Sequence, residues 1–477
     1  MLAWLTVSLL GAAVFVLIIL DLVKLIRLTH PAIMTLYLLL APNVLLAGYL
    51  LFSILPFTLP TKILCLTLSG VFTFFMWLRL NVFPVTDGQK TGFRLKALIG
   101  GRYITYAAMG GLALNMVLLP VVYSLLWHRV PWQWLLANAL FAAGDFCVLF
   151  LNGLLRLLCT SKKLRVVGRV LILLGFWVPV ANFIFFARAC RMAYEEYDYA
   201  LYKRDLDATR ICSQICATKY PLLLVHGVLF RDLRYFNYWG RIPRALIQNG
   251  AKVYYGNQEA VGTIEYNGQD IARRIEEILG ETGCEKVNII AHSKGGLDAR
   301  YAVTCLGMAD KVASLTTVCT PHRGCRFVDK ACRLPEGLYQ FVARQVNRVF
   351  RRLGDKSPDF YHATRQFATA ASEDFNRNTP DMPQVYYQSY AAKMAKGSSD
   401  RLLSIPYHLI RPLEGDNDGL VSVTSAVWGN YRGLLASSTK RGVSHGDMID
   451  LKREDFKGFD VREVYIQMVA ELKEMGF

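Results

Sequence analysis

Ser293 stands in the run Val287-Asn288-Ile289-Ile290-Ala291-His292-Ser293-Lys294-Gly295-Gly296, where an apolar stretch rich in β-branched residues ends in a serine flanked by small residues. This is the G-x-S-x-G pattern of a nucleophile elbow, with Ala291 in the place of the first glycine. The spacing has a steric cause. A serine on a sharp strand-to-helix turn needs small neighbours two residues before and two after it, and the turn then presents the hydroxyl above a sheet. The helix that follows would point the backbone N–H of Lys294 at an oxyanion. The chemistry such a serine performs is nucleophilic attack on a carbonyl, which requires a base to take its proton and a carboxylate to orient that base.

Eight histidines are available. His30 and His128 lie in the apolar first half, and His292 is expected to point away from its neighbour Ser293. His226 and His322 belong to strand-end turns and are expected to brace loops, while His362 and His408 have no setting that suggests catalysis. His445, in Gly442-Val443-Ser444-His445-Gly446-Asp447, lies in a late loop before the last helix. For the acid, Asp416 and Asp418 share the turn Gly415-Asp416-Asn417-Asp418-Gly419-Leu420-Val421, expected to follow a strand at 406–410. Asp418 is the choice, and the chain order is then Ser, Asp, His.

These residues need a scaffold. Strands are expected at 222–225, 252–255, 286–291 and 312–318, with helices at 241–248, 267–279 (closed by Gly280) and 295–306. Strands alternating with helices imply a mostly parallel sheet with right-handed crossovers. In such a sheet chemistry gathers at the carboxyl ends of strands, where Ser293, the His226-Gly227-Val228 turn and the Thr320-to-Gly324 turn all fall.

From about residue 219 to the end, the chain resembles the bacterial true-lipase family, the triacylglycerol lipases of α/β-hydrolase fold. The resemblance rests on 221–227, 287–296, 315–324, Asp374-Phe375-Asn376, 417–421 and His445-Gly446-Asp447, in order and at matching spacing. It implies Ser293 as nucleophile, His445 as base, Asp418 as its orienter, and the N–H groups of Val228 and Lys294 as the oxyanion hole. It also implies a structural calcium: Asp447 matches one ligand position and Asp400 is a candidate for the other, although 392–415 departs from the family's pattern. No cofactor is implied for the chemistry itself. A helix with Leu338, Phe341, Val342, Val346, Val349, Phe350 and Leu353 on one face, and Arg344, Arg348, Arg351 and Arg352 on the other, lies where such lipases carry a lid.

The first half has no counterpart in that family. The chain has 477 residues, net charge +17 and mean hydropathy +0.28, high for an ordinary globular protein. Residues 1–187 hold three acidic side chains (Asp21, Asp87, Asp145) against fourteen Lys and Arg. Those cations sit between apolar runs, so membrane topology explains the basic balance and no nucleic-acid partner is expected. Six runs, near 2–23, 33–55, 62–79, 104–127, 133–155 and 169–188, approach the roughly 20 residues that span a bilayer. Loops after the first, third and fifth runs are rich in Lys and Arg, and those after the second and fourth hold only Lys62 and Arg129. The positive-inside rule then places the N-terminus and everything beyond residue 190 outside the cytoplasm. Asp145 is expected to pair with Asn138 or Asn152. Eleven cysteines include no C-x-x-C pair; Cys325 with Cys332, or Cys212 with Cys216, could bridge, and connectivity is open.

The expected organisation is therefore a membrane helical bundle (1–190), a linker (191–218) and an α/β-hydrolase (219–477). The expected activity is hydrolysis of lipid carboxylic esters. Two rivals stand beside it: acyl transfer to an alcohol with the same triad, and a transporter or scaffold with the hydrolase as an appendage.

Overall fold

The computed structural model describes residue 38 and residues 41–477, apart from 55, 83, 85–90, 165, 176–177, 211–212, 230–236, 438–440 and 456–457. The first apolar run and its cations Lys24 and Arg27 lie outside the described residues, as does Cys212. The chain forms two compact units, Met1–Asp205 and Leu206–Phe477.

The first unit is helical: α1 (Val44–Ile54), α2 (Leu59–Val82), α3 (Phe93–Leu126), α4 (Trp132–Thr160), α5 (Val166–Gly175) and α6 (Pro179–Arg210). Two of these, α3 and α4, are long and apolar enough to cross a membrane by length and composition. α3 continues through Gly110, Gly111 and Pro120 without a break. Where it meets α4, a Cβ on Gly101 would lie 3.0 Å from the Gly153 carbonyl, and one on Gly153 only 2.4 Å from Thr105 Oγ1. Glycine at both positions lets the two backbones pack this closely.

Several expectations for this half are corrected. The sixth run is two helices, because Pro179 has no N–H to continue α5 and disfavours the helical conformation in the residue before it. The segment 191–218, expected as a linker, is helical from 191 to Arg210, continuing α6, and the division between the two units falls within it. Arg94, Lys96 and Arg102 lie in the first turns of α3, not in a loop, and Arg94 pairs with Glu196 at 2.5 Å. Asp145 pairs with neither asparagine: Asn138 donates to Asn43 and Tyr123, and Asn152 to Asn81.

In the second unit six parallel strands, β1 (Leu222–Val225), β2 (Val253–Tyr255), β3 (Val287–His292), β4 (Val312–Val318), β5 (Tyr386–Ala392) and β6 (Asn430–Leu435), run in the order β2-β1-β3-β4-β5-β6. The helices between them are α7 (Ile242–Gln248), α8 (Ile264–Thr282), α9 (Gly295–Cys305), α10 (Arg326–Ala331), α11 (Glu336–Arg352), α12 (Phe360–Arg365), α13 (Thr369–Asn378), α14 (Ser404–Glu414) and α15 (Val423–Ala426), and α16 (Val461–Glu474) closes the chain. Alternate residues of β1 face opposite cores. Leu222 and Leu224 pack with Trp239, Ile242, Ile466 and Val469, and Leu223 and Val225 with Ile271, Ile275, Ala299 and Val303. Both faces of the sheet are thus covered, which is why the central strands read as continuous apolar runs. Each such Leu or Ile contributes about 1.5–3 kcal/mol relative to exposure.

This is the expected α/β-hydrolase architecture, with local differences. α8 runs past Gly280 and ends at Gly283, which takes the left-handed conformation at φ 68°. The expected strand at 406–410 lies within α14, where Tyr407 and Ile410 are buried three residues apart and Ile405 and Leu409 are exposed four apart. That period is helical, not alternating. The strand before the acid turn is β5, hidden in sequence by Gln388 and Ser389. Their side chains are buried and hydrogen-bonded: the Gln388 amide N–H donates to Thr316 and the Ser389 hydroxyl to the Trp428 carbonyl. Cys216, Cys325 and Cys332 are free thiols.

Candidate active site

β3 ends at His292 and α9 starts at Gly295, so Ser293 occupies a two-residue turn and takes φ +55°. A serine in the left-handed region is uncommon and stores strain. Its backbone is held on both sides: Ser293 N–H donates to the Val318 carbonyl at 3.0 Å, and Thr320 Oγ1 donates to the Ser293 carbonyl at 2.8 Å. The turn after β1 presses against it. A Cβ on Gly227 would lie 2.8 Å from Ser293 Cβ, so only glycine fits there. Val228 follows that glycine and Lys294 follows the serine, and among the described residues neither N–H is bonded to a backbone carbonyl.

The structure brings Asp418 and His445 together. His445 Nδ1 lies 2.7 Å from Asp418 Oδ2, and the His445 N–H donates to the Asp418 carbonyl at 2.9 Å. The other carboxylate oxygen of Asp418 accepts from the N–H groups of Leu420 and Val421, at 2.9 and 2.8 Å. Both residues are buried, as is Ser293. Among the described residues no hydrogen bond links the Ser293 hydroxyl to His445; such contacts are often loose before substrate binds. Asp416, the alternative acid, is exposed and paired with Lys393 at 2.8 Å. His226 and His322 brace turns as expected: His226 Nε2 lies 3.0 Å from the Gln258 carbonyl, and His322 Nε2 3.0 Å from Thr317 Oγ1. Asn376 of the Asp374-Phe375-Asn376 motif donates to the His322 carbonyl and accepts from Arg300, tying α13 to the turn after β4.

The expectation that His292 points away is corrected. Its ring packs 4.4 Å from that of His445, centroid to centroid, and its Nδ1 shares a 2.7 Å hydrogen bond with the Tyr238 hydroxyl. Burial, reinforced by the nearby His445, holds its pKa well below 6.5, so it packs against His445 as a neutral ring. His292, Cys319 and His445 place their ligating atoms within 4.8 Å of one another. Lys294 is also more than a backbone donor. Its ammonium is buried in α9 against Asp298, which also accepts from Asn267 of α8 at 3.1 Å. Burial raises Asp298 to about 6 against the pull of Lys294, and lowers Lys294 against the pull of Asp298. The His292–Tyr238 pairing has no local signal in the sequence, whereas Lys294 and Asp298 stand at i,i+4 spacing, which marks a possible pair but not its burial.

Asp400 and Asp447, the candidate calcium ligands, also come together, on either side of Ser444. Asp400 Oδ2 accepts from Ser444 Oγ at 2.9 Å and pairs with Lys452 at 2.7 Å. Asp447 Oδ2 accepts from Ser444 N–H at 2.9 Å, and its Oδ1 from Arg441 at 2.9 Å. Calcium takes six to eight oxygens, several of them carboxylate. Among the described residues no third carboxylate, imidazole or thiol joins these two in one cluster. With both carboxylates committed to Lys452, Arg441 and Ser444, the donor set does not fit that ion.

Residues 242–350 match a family described as "Putative serine esterase (DUF676)". The chain is similar to a triacylglycerol lipase of Pseudarthrobacter phenanthrenivorans (36% identity over 203 residues, 39% of this chain and 63% of that protein). It is also similar to triacylglycerol lipase 2 of Saccharomyces cerevisiae, at 28% identity over 52% of this chain and 77% of that protein. The chain spans 63% and 56% of the first two curated relatives it matches. Among solved structures, the Staphylococcus hyicus lipase aligns over 54% of this chain and 97% of its own, at 16% identity and TM-score 0.43. The mature Bacillus licheniformis lipase BlEst2 aligns over 53% and 92%, at 20% identity and TM-score 0.40.

Proposed function

We propose that the chain is a serine carboxylic ester hydrolase acting on lipid esters, held at a membrane by its helical half. The observation that carries the reading is the buried His445–Asp418 pair at the carboxyl edge of the sheet whose β3–α9 turn strains Ser293 to φ +55°. Ser293 Oγ attacks the ester carbonyl carbon while His445 takes its proton. Asp418 holds the ring in the tautomer that accepts at Nε2 and stabilises the imidazolium. The tetrahedral oxyanion accepts hydrogen bonds from the N–H groups of Val228 and Lys294. As the intermediate collapses, the C–O bond to the alcohol breaks and His445 returns the proton to the departing oxygen. Water then repeats the sequence on the acyl-serine.

Lipid, in preference to a small soluble ester, is supported by exposed apolar residues on the same unit. Leu338, Phe341, Val342 and Val349 of α11 are each 42% exposed or more, and Leu402, Ile405 and Leu409 on and beside α14 are 53% or more. Apolar stripes of this kind mark interaction surfaces. The relatives described as triacylglycerol lipases point the same way. The alternation of Lys- and Arg-rich with Lys- and Arg-poor stretches between the apolar runs of the first half supports a site outside the cytoplasm.

The test is labelling of the full-length chain with a fluorophosphonate probe, followed by a chain-length series of p-nitrophenyl esters. Ser293→Ala is expected to abolish labelling and lower kcat by about 10⁶-fold while the protein stays folded. Hydrolysis by Ser293→Ala at the parental rate would end the reading.

A further inference from the structure

We infer that the base loop is held by the chain's own cations, Lys452 and Arg441, in the place where a calcium ion would otherwise tie it, so that this protein folds and works without calcium. Ser444 is completely buried and immediately precedes His445, and every polar group it offers in this direction is engaged by Asp400 or Asp447. Its hydroxyl donates to Asp400 Oδ2, its N–H donates to Asp447 Oδ2, and the Asp447 N–H closes back on the Ser444 hydroxyl at 3.2 Å. Two carboxylates this close repel each other unless a positive charge lies between or beside them. The chain supplies one for each: Lys452 Nζ at 2.7 Å from Asp400 and Arg441 Nη2 at 2.9 Å from Asp447.

The cluster is therefore neutral as built, two minus and two plus. Entry of a dication would leave it at +2 unless both side chains left, and it would compete for oxygens already committed to the ammonium, the guanidinium, the Ser444 groups and the Leu402 N–H. The strap extends beyond the pair. The next acid, Asp450, is bound by Arg241 at 2.7 Å, so the stretch from His445 to Asp455 is tied to the body of the domain by ion pairs along its length. On this view Lys452 is a positioning residue: it acts on the reaction only through the loop that carries His445.

The inference rests on the proposed role of His445 for its kinetic arm, whereas its melting arm does not. The full-length chain in detergent is melted in EGTA and again in millimolar calcium chloride. A site filled at about a hundred times its dissociation constant raises Tm by about 5 °C or more. No shift is expected here, and a rise of that size would overturn the inference. In parallel, Lys452→Met is compared with Lys452→Arg, which keeps the charge. Lys452→Met is expected to lower Tm and to cut kcat by about ten- to a hundred-fold with KM within about two-fold, and Lys452→Arg to recover most of both. Parental Tm and kcat in Lys452→Met would also overturn the inference. If Ser293→Ala retains activity, the functional reading fails and the melting result still decides the question of calcium.

Discussion

Asp418 and Asp416 are two residues apart in one turn, and their surroundings differ completely. Asp418 is buried with both oxygens engaged, one of them on His445, whereas Asp416 lies at the surface on Lys393. Asp418→Asn is expected to cost about 10⁴-fold in kcat, since the amide cannot hold the same tautomer or stabilise the imidazolium. Asp416→Asn should leave kcat within a few-fold of the parent; ester kinetics with the reverse ranking would move the acid to Asp416. A second residue-scale expectation concerns the buried Lys294–Asp298 pair beneath the elbow. Removing one partner strands the other charge, so Asp298→Asn should destabilise the domain by about 3–5 kcal/mol, and adding Lys294→Met should recover much of that. Urea unfolding of the single and double variants reads this directly, and a double variant no more stable than the single would refute it. The sequence supplied the candidate triad because each member lies in a local motif. It was silent on His292, whose partners are brought by other elements, and on the burial of the Lys294–Asp298 pair, which i,i+4 spacing alone does not encode.

At the scale of the element, α11 and α14 show how one apolar pattern can serve two surfaces. Tyr339 and Ala343 of α11 turn inward, with the Tyr339 hydroxyl on Thr364, while Leu338, Phe341, Val342 and Val349 stay open. The amphipathic period was legible, but whether its apolar face is covered depends on what packs against it, which no period encodes. The exposed stripe makes a prediction about substrate. Leu338→Ser with Phe341→Ser should lower the rate on long-chain, aggregated esters about ten-fold or more, since each CH₂ left unburied against the lipid costs about 0.8 kcal/mol. The rate on a short soluble ester should hardly change. Equal loss on both substrates would show that the stripe serves the fold and not the lipid. The strand expected over 406–410 fails for a related reason. The Ile-Pro-Tyr-His-Leu-Ile segment of α14 is rich in β-formers, and only the spacing of Tyr407 and Ile410 against the core distinguishes helix from strand.

For the molecule as a whole, the proposed membrane setting raises the question of which side the site would face. The charge pattern between apolar runs argues for the outside, and one run more or fewer would reverse it. A cysteine introduced at Asn430, which is exposed in β6, is expected to react with an impermeant maleimide in intact cells, and one at Gln89 is expected to be protected. Labelling at Gln89 with protection at Asn430 would put the site in the cytoplasm. The first run, 2–23, enters this count and lies outside the described residues, so the labelling result bears on it directly.

What the sequence determined by itself was everything with a short-range physical signature. The elbow is legible because a strained serine needs small neighbours, the central strands because burial on both faces makes continuous apolar runs, and the two long helices because apolar runs of that length stand out along the chain. The order of motifs along the chain was enough to choose Ser293, Asp418 and His445. The tertiary structure decided what depends on approach between distant segments. It closed the Asp418–His445 hydrogen bond across 27 residues and turned His292 toward the base. It made helix of the expected linker, and it set Lys452 on Asp400, 52 residues away, and Arg441 on Asp447. Sequence spacing reveals a carboxylate that could bind a cation, but which cation arrives is settled only where folding brings the charges within a few ångströms, because that is where Coulomb attraction outweighs hydration.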